Sequence, residues 1–270
     1  MLRRSALATL FAAPARWARA GAPRDLAPFF DGIHGAAVLL DAHTGRGIAA
    51  HAPDLAAGMP TPPGSTLKPF VLTALIEAGK LRPAEPWTCP GALTIAGRSF
   101  ACSHPPVPAP LDVRTALAYS CNTYVAHFAA RFGDGELALA LARYGIEASL
   151  RPADTRLLAL GEDGVQVTAN GLAAAYRRLA LRAARPVLAP ILAGLEDAVE
   201  YGTAQRAAIP AVKVAGKTGS VVAPDGAHLA WFAGFAPSRA PSVILIVLVK
   251  GRSGGSDAAP VAGRILKEAL

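Results

Sequence analysis

Past its first twenty residues the sequence has no run of 18 uncharged apolar residues, so no membrane-crossing helix is expected there. The most apolar later stretch, 243–249, is far too short to span. Charge is scarce as well, with 17% of residues charged against 52% hydrophobic, which leaves ample material for a core. What charge there is leans positive, to a formal net +8. No Lys/Arg run and no basic stripe interleaved with aromatics accompanies it, which argues against nucleic acid as a partner. A basic surface does suit work beside anionic phospholipid or an acidic polymer. Histidine is sparse and scattered; its six copies fall in no metal-ligand spacing, so neither a metal nor a cofactor is expected. There is no internal repeat and no low-complexity tract beyond an alanine bias.

Cysteine is limited to three copies. Their meaning depends on compartment, and the N-terminus speaks to that. Met1-Leu2-Arg3-Arg4 is a short basic segment, residues 5–13 are small and apolar, and Ala18-Arg19-Ala20 has the form of a signal-peptidase site. The reading is a leader at 1–20, a linker at 21–34 and a domain at 35–270, exported to the periplasm or the outer face of the cytoplasmic membrane. In an oxidising compartment Cys89 and Cys102, in a segment rich in Pro, Gly and Ser, are expected to pair as a disulfide, with two free thiols as the alternative. Cys121 reads as a small buried thiol.

Apolar runs and turn residues predict strands at 35–41 and 47–50, a loop at 54–64, and a helix that starts at Ser65 and stops at Gly79. The stretch 80–110 reads as irregular. Helices follow at 112–117 with Asp112 as cap, then at 122–132, 134–144, 168–184 and 190–201. Strands are predicted at 212–222, 229–235 and 242–249, and a last helix at 258–270. Strands at both ends of a helical middle imply an α+β fold, in which one antiparallel sheet is closed by the two ends of the chain around an inserted helical subdomain.

Three short elements carry chemistry: Ser65-Thr66-Leu67-Lys68, Ser120-Cys121-Asn122 and Lys217-Thr218-Gly219. All three together arise by chance on the order of once in 2,000 shuffled chains, so coincidence is a poor explanation. Residues i and i+3 share a helix face, which brings the Lys68 amine toward the Ser65 hydroxyl. A serine becomes a nucleophile only when a base takes its proton, and a lysine is a base only when neutral. Burial and a second cation, Lys217, would lower its pKa. Ser120 is placed to relay a proton to a leaving amine, and Asn122 to hold a substrate carbonyl. Lys217 and Thr218 offer a cation and a hydroxyl to a carboxylate, and Gly219 allows close approach to the strand. The backbone N–H groups of Ser65 and Ser220 are candidate oxyanion donors.

The residues around these motifs extend the pattern. Pro63-Gly64 before Ser65, Ala116-Leu117-Ala118-Tyr119 before Ser120, Gly202-Thr203-Ala204, Val214-Ala215-Gly216 before Lys217, and Ala230-Trp231-Phe232-Ala233-Gly234-Phe235 all fit it. From residue 35 onward the chain resembles the transpeptidase domain of penicillin-binding proteins. The resemblance implies the β-lactamase/transpeptidase-like fold. It also implies acyl transfer on D-Ala-D-Ala stem peptides of peptidoglycan through an acyl-enzyme at Ser65, which β-lactams would share. Amine as acceptor gives a D,D-transpeptidase and water a D,D-carboxypeptidase; other wall-assembly proteins are the implied partners. Two alternatives stay open. The compact spacing between motifs is similar to the serine β-lactamases, with class D the nearer type, since Gly161-Glu162-Asp163-Gly164 reads as a turn and not as the glutamate loop of class A. A non-catalytic β-lactam sensor would also keep the serine.

Overall fold

The computed structural model describes residues 25–107, 109–223 and 225–270. The leader read at 1–20 lies outside them. A five-stranded antiparallel sheet forms the spine, in the order β2-β1-β7-β6-β5. Its strands are β1 (Gly35–Asp41), β2 (Gly47–His51), β5 (Ala215–Val222), β6 (His228–Ala236) and β7 (Val243–Lys250). Strand β7, from the end of the chain, pairs along its length with β1, from the beginning. The sheet closes around everything between, as the α+β reading requires.

β7 reads Val-Ile-Leu-Ile-Val-Leu-Val, and its alternation decides the layering. Ile244, Ile246 and Leu248 point into one core and Val243, Leu245, Val247 and Val249 into another. Each of these side chains is essentially fully buried and contributes roughly 1.5–3 kcal/mol by transfer from water. One core is covered by α9 (Ala259–Ala269) through Val261, Ile265 and Leu266. Leu26 and Phe30 complete it, around a 3-10 turn at Ala27–Phe30, so this part of the stretch read as a linker is packed.

The other core belongs to the inserted helices. These are α2 (Lys68–Glu77), α3 (Val113–Ala118), α4 (Asn122–Ala129), α5 (Glu136–Ala142), α6 (Thr155–Leu160), α7 (Ala169–Arg182) and α8 (Ala189–Glu200). In α2 every residue from Lys68 to Ile76 is buried, because apart from Lys68 and Thr73 this stretch is apolar all round. Thr168 caps α7 by accepting from the Gly171 N–H, and Asp112 caps α3 in a reciprocal pair with Thr115.

Several local expectations differ. The stretch 54–64 is not all loop: α1 (Pro53–Gly58) begins with proline at its first turn, where the missing N–H costs nothing. The stretch 80–110 holds a hairpin of β3 (Ala92–Ile95) and β4 (Arg98–Ala101). Its turn, Ala96-Gly97, has φ of 46° and 77°, the positive pair that matches strand twist in a tight hairpin. The helix α6 was not anticipated, and β5 begins at Ala215 rather than 212. No helix among the described residues is long and apolar enough to cross a membrane.

Candidate active site

Ser65 does not open an α-helix directly. It sits half-buried in a 3-10 turn, Gly64–Leu67, and Lys68 starts α2 behind it. The turn is held from four directions. The Gly64 N–H donates to the Gly161 carbonyl (3.0 Å) and the Trp231 indole N–H to the Pro62 carbonyl (3.0 Å). The buried Tyr176 hydroxyl donates to the Thr66 carbonyl (2.9 Å), and the Thr66 hydroxyl to the Pro63 carbonyl (2.7 Å). Strand β5 packs against the turn, and Gly219 is what permits it. A Cβ there would stand 2.9 Å from the Pro63 oxygen and 3.1 Å from Thr66 Cγ2. The sequence reading gave Gly219 to substrate approach; its immediate neighbour is the nucleophile turn itself.

The second motif lies where α3 ends. Ser120 and Cys121 donate backbone N–H groups to the Leu117 and Ala116 carbonyls, the paired bonds of a Schellman stop. That stop places Ser120 at φ 56°, a left-handed conformation usually left to glycine and costing a serine on the order of 1 kcal/mol. The conformation aims the hydroxyl at two amines. Lys217 Nζ donates to Ser120 Oγ at 2.7 Å, and Lys68 Nζ lies 3.4 Å from the same atom while donating to the Ser120 carbonyl at 2.6 Å. Lys68 Nζ also donates to Asn122 Oδ1 at 2.6 Å. The Asn122 amide nitrogen in turn donates to the Ala101 carbonyl (2.8 Å), which leaves one amide hydrogen for a ligand.

Both lysines are fully buried. Burial pushes the Lys68 amine down from its ordinary value to about 8, with Cys121, Cys102 and Glu162 partly opposing the shift. Burial, and then the charge of Lys68, push Lys217 well below the lysine range. Two amines without contact to water, facing one hydroxyl, cannot both hold charge cheaply.

In front of this pair opens a cleft of about 480 Å³, lined by Ser65, Ser120, Asn122, Thr218, Gly219 and Ser220. The structure thus gathers residues of all three motifs, with Lys68 and Lys217 buried behind the lining and reaching it through Ser120 Oγ. Thr218 donates its hydroxyl to Thr203 Oγ1 (2.9 Å), and Ser220 Oγ accepts from the Gly254 N–H (3.0 Å). Among the other lining residues, Thr203, Arg252 and Glu162 bring polar groups that the sequence does not single out as site residues. Thr203 stood in the quoted Gly-Thr-Ala, but nothing local marked Arg252, whose position depends on the turn after β7. Glu162 lies in the turn that follows α6 and is paired with Arg98 at 2.9 Å.

The expected disulfide is not formed. Cys89 Sγ and Cys102 Sγ are 3.6 Å apart and unbonded. A third sulfur joins them: Cys121, from the Ser-x-Asn motif, lies 3.7 Å from Cys102, so the three free thiols form a cluster.

Comparison with known proteins bears on most of the chain. Its sequence matches the family described as penicillin binding protein transpeptidase domain over residues 35–182 and 187–267. It is 25% identical over 273 aligned residues to the peptidoglycan D,D-transpeptidase PbpA of Mycobacterium tuberculosis, covering 77% of this chain and 55% of that protein. A shorter match, 38% over 87 residues, joins it to the stage V sporulation protein D of Bacillus subtilis, covering 28% of this chain and 14% of that one. The chain therefore spans about half, or less, of the curated relatives it matches. Among solved structures it is similar to the D,D-transpeptidase domain of a peptidoglycan glycosyltransferase from Eggerthella lenta, with TM-score 0.78, 22% identity, and 90% of this chain and 79% of that one covered. It is also similar to the transpeptidase domain of the FtsI4 D,D-transpeptidase from Legionella pneumophila, with TM-score 0.70, 25% identity, and coverage of 91% and 92%.

Proposed function

Because the chain belongs to the penicillin-binding protein transpeptidase domain family, we propose that it is an exported serine acyltransferase acting on D-Ala-D-Ala stem peptides of peptidoglycan. One observation carries the reading. Lys68 and Lys217, both without solvent contact, converge on Ser120 Oγ at the back of a cleft that Ser65 lines. An amine held neutral by burial is what a serine nucleophile needs, and a hydroxyl between two amines is what a proton relay needs.

Neutral Lys68 takes the Ser65 proton as Oγ attacks the carbonyl of the penultimate D-alanine. The oxyanion is received by the backbone N–H groups of Ser65 and Ser220. The proton passes by way of Ser120 to the leaving amine, the C–N bond breaks, and free D-alanine departs from an ester at Ser65. Lys217 and Thr218 hold the substrate's terminal carboxylate, while Asn122 donates its remaining amide hydrogen to the substrate backbone. An amine from a second stem peptide, or water, then takes the acyl group. A β-lactam enters by the same attack, its ring C–N bond breaking in place of the peptide bond.

Incubation with a fluorescent penicillin tests this. A stable labelled species is expected, absent in Ser65→Ala, together with D-alanine release from a D-Ala-D-Ala peptide. No label on the wild-type chain would remove the nucleophile assignment. Fast turnover to free penicilloate would identify a β-lactamase, and label without D-alanine release a sensor. The setting of Lys68 argues against the class D type of β-lactamase, in which this lysine is carbamylated. Here its nitrogen already donates to Asn122 Oδ1 and the Ser120 carbonyl.

A further inference from the structure

We propose that Cys89, Cys102, Cys121 and His104 bind one zinc ion that clamps the β3–β4 hairpin to the Ser120–Asn122 motif. The four ligand atoms all lie within 4.8 Å of one another. Around a tetrahedral zinc with Zn–S bonds of about 2.3 Å, two sulfurs stand about 3.8 Å apart. The Cys89–Cys102 and Cys102–Cys121 separations are 3.6 and 3.7 Å. Those distances are too long for a sulfur–sulfur bond and suit two ligands of one ion.

The histidine supplies an independent observation. His104 Nδ1 lies 2.8 Å from the Pro105 carbonyl, and a carbonyl only accepts, so the proton is on Nδ1. Nε2 is then a lone-pair nitrogen. It is buried and has no hydrogen-bond partner among the described residues, an arrangement that costs free energy unless something binds there. One ring nitrogen donating to a carbonyl while the other faces a cluster of sulfurs is how metal-binding imidazoles are oriented.

The sulfurs have supporting donors too. The Gly91 N–H points to Cys89 Sγ (3.3 Å) and the Tyr124 N–H to Cys121 Sγ (3.4 Å), and the Thr123 hydroxyl donates to Cys89 Sγ (3.2 Å). Such donors are the outer contacts that orient metal-bound sulfurs. Three thiolates and one imidazole are soft to borderline ligands, unsuited to magnesium or calcium, and a closed Cys3His set leaves no open position for a reacting water. The ion is structural. As it binds, three S–Zn bonds replace the three S–H bonds with release of three protons, and His104 Nε2 donates its lone pair to form the fourth bond.

Its placement gives it a purpose. Cys89 precedes β3, and Cys102 and His104 follow β4. Cys121 caps α4 and is the middle residue of Ser120-Cys121-Asn122. The hairpin's last residue, Ala101, accepts from Asn122. The ion ties together, across 13, 2 and 17 positions of sequence, one wall of the cleft and the loop that carries two of its polar groups. This inference does not depend on the acyl-transfer reading, since metal content and Ser65 labelling are separate measurements.

The test uses the full chain, purified under a mild reductant without chelator. Elemental analysis is expected to give roughly one zinc per chain. Exchange for cobalt(II) is expected to give a thiolate-to-metal charge-transfer band and the intense visible bands of tetrahedral cobalt. His104→Ala, at a partly exposed position, is expected to keep the fold while weakening zinc roughly tenfold or more. Removing the metal is expected to speed amide hydrogen exchange selectively in residues 119–124 and 101–104. Three results would overturn the proposal. One is reduced chain, reconstituted with zinc chloride, that retains none. The second is a weak octahedral cobalt spectrum, and the third is equal zinc affinity in wild type, His104→Ala and Cys102→Ser. A Cys89–Cys102 disulfide whose reduction still leaves the chain unable to take up zinc belongs with the first.

Discussion

If Lys68 is the base, the acylation rate must follow its neutral fraction. With the amine at about 8, against an ordinary 10.5, roughly one lysine in ten is neutral at pH 7 instead of roughly one in three thousand. Burial therefore multiplies the working base about 300-fold, equivalent to about 3 kcal/mol in the barrier. The sign is fixed by the direction of the shift. Below pH 8 the labelling rate by fluorescent penicillin should rise nearly tenfold per pH unit, about 50-fold from pH 6 to pH 8, and then less than twofold from pH 8 to pH 9. Lys68→Arg, a permanent cation, should lose about 10²-fold or more and show no such rise. Stopped-flow labelling across pH 5.5 to 9.5 measures both. A wild-type rate flat from pH 6 to 8, or a Lys68→Arg variant that keeps the rise, would refute the assignment. Stability must move in the same window. The unfolded lysine keeps its proton up to about 10.5 and the folded one only to about 8, so the fold is disfavoured by this group below pH 8. Resistance to urea should then climb as pH goes from 8 toward 10.

Three further outcomes are expected. Gly219→Ala forces a methyl group against the Pro63 carbonyl and should displace the Ser65 turn, lowering acylation about 100-fold with the fold intact by circular dichroism. Glu162→Gln should leave the lifetime of the penicillin adduct unchanged, because its carboxylate is engaged by Arg98; it should cost at most about 1 kcal/mol in urea unfolding. Asp197 is nearly inaccessible, and although burial pushes its carboxyl up, hydrogen bonds from Arg114 and Tyr201 bring it below the ordinary value. Its contribution is present above about pH 4 and lost as pH falls through the lowered value. Asp197→Asn should therefore cost about 1–3 kcal/mol at pH 7, and less in acid.

What sequence could tell followed from range. The sheet was legible because β6 and β7 are nearly continuous apolar runs, and α7 because Thr168 and a periodic face mark it. The three motifs were legible because each spans three or four residues, within reach of local geometry. The β3–β4 hairpin was not, since its strands are four residues long, mostly exposed, and bury only Ile95, and its turn uses Ala96 where asparagine would have been a signal. The packing of Gly219 against the Ser65 turn is not legible locally, because that turn lies more than 150 positions away. The gathering of Cys89, Cys102, His104 and Cys121 is not legible in the sequence, because no regular spacing joins them. Only the fold brings them together.

The pairing of Lys68 with Lys217 across Ser120 has a consequence for timing. Burial disfavours charge on both amines, and a proton on Lys68 further disfavours one on Lys217. A ligand carboxylate arriving beside Lys217 raises that lysine's hold on the proton, and the charge so fixed lowers the hold of Lys68. On the proposed acyl-transfer reading, binding of the correct end group would arm the base that activates Ser65, and an uncharged ester of the same peptide should be met by a site still at rest.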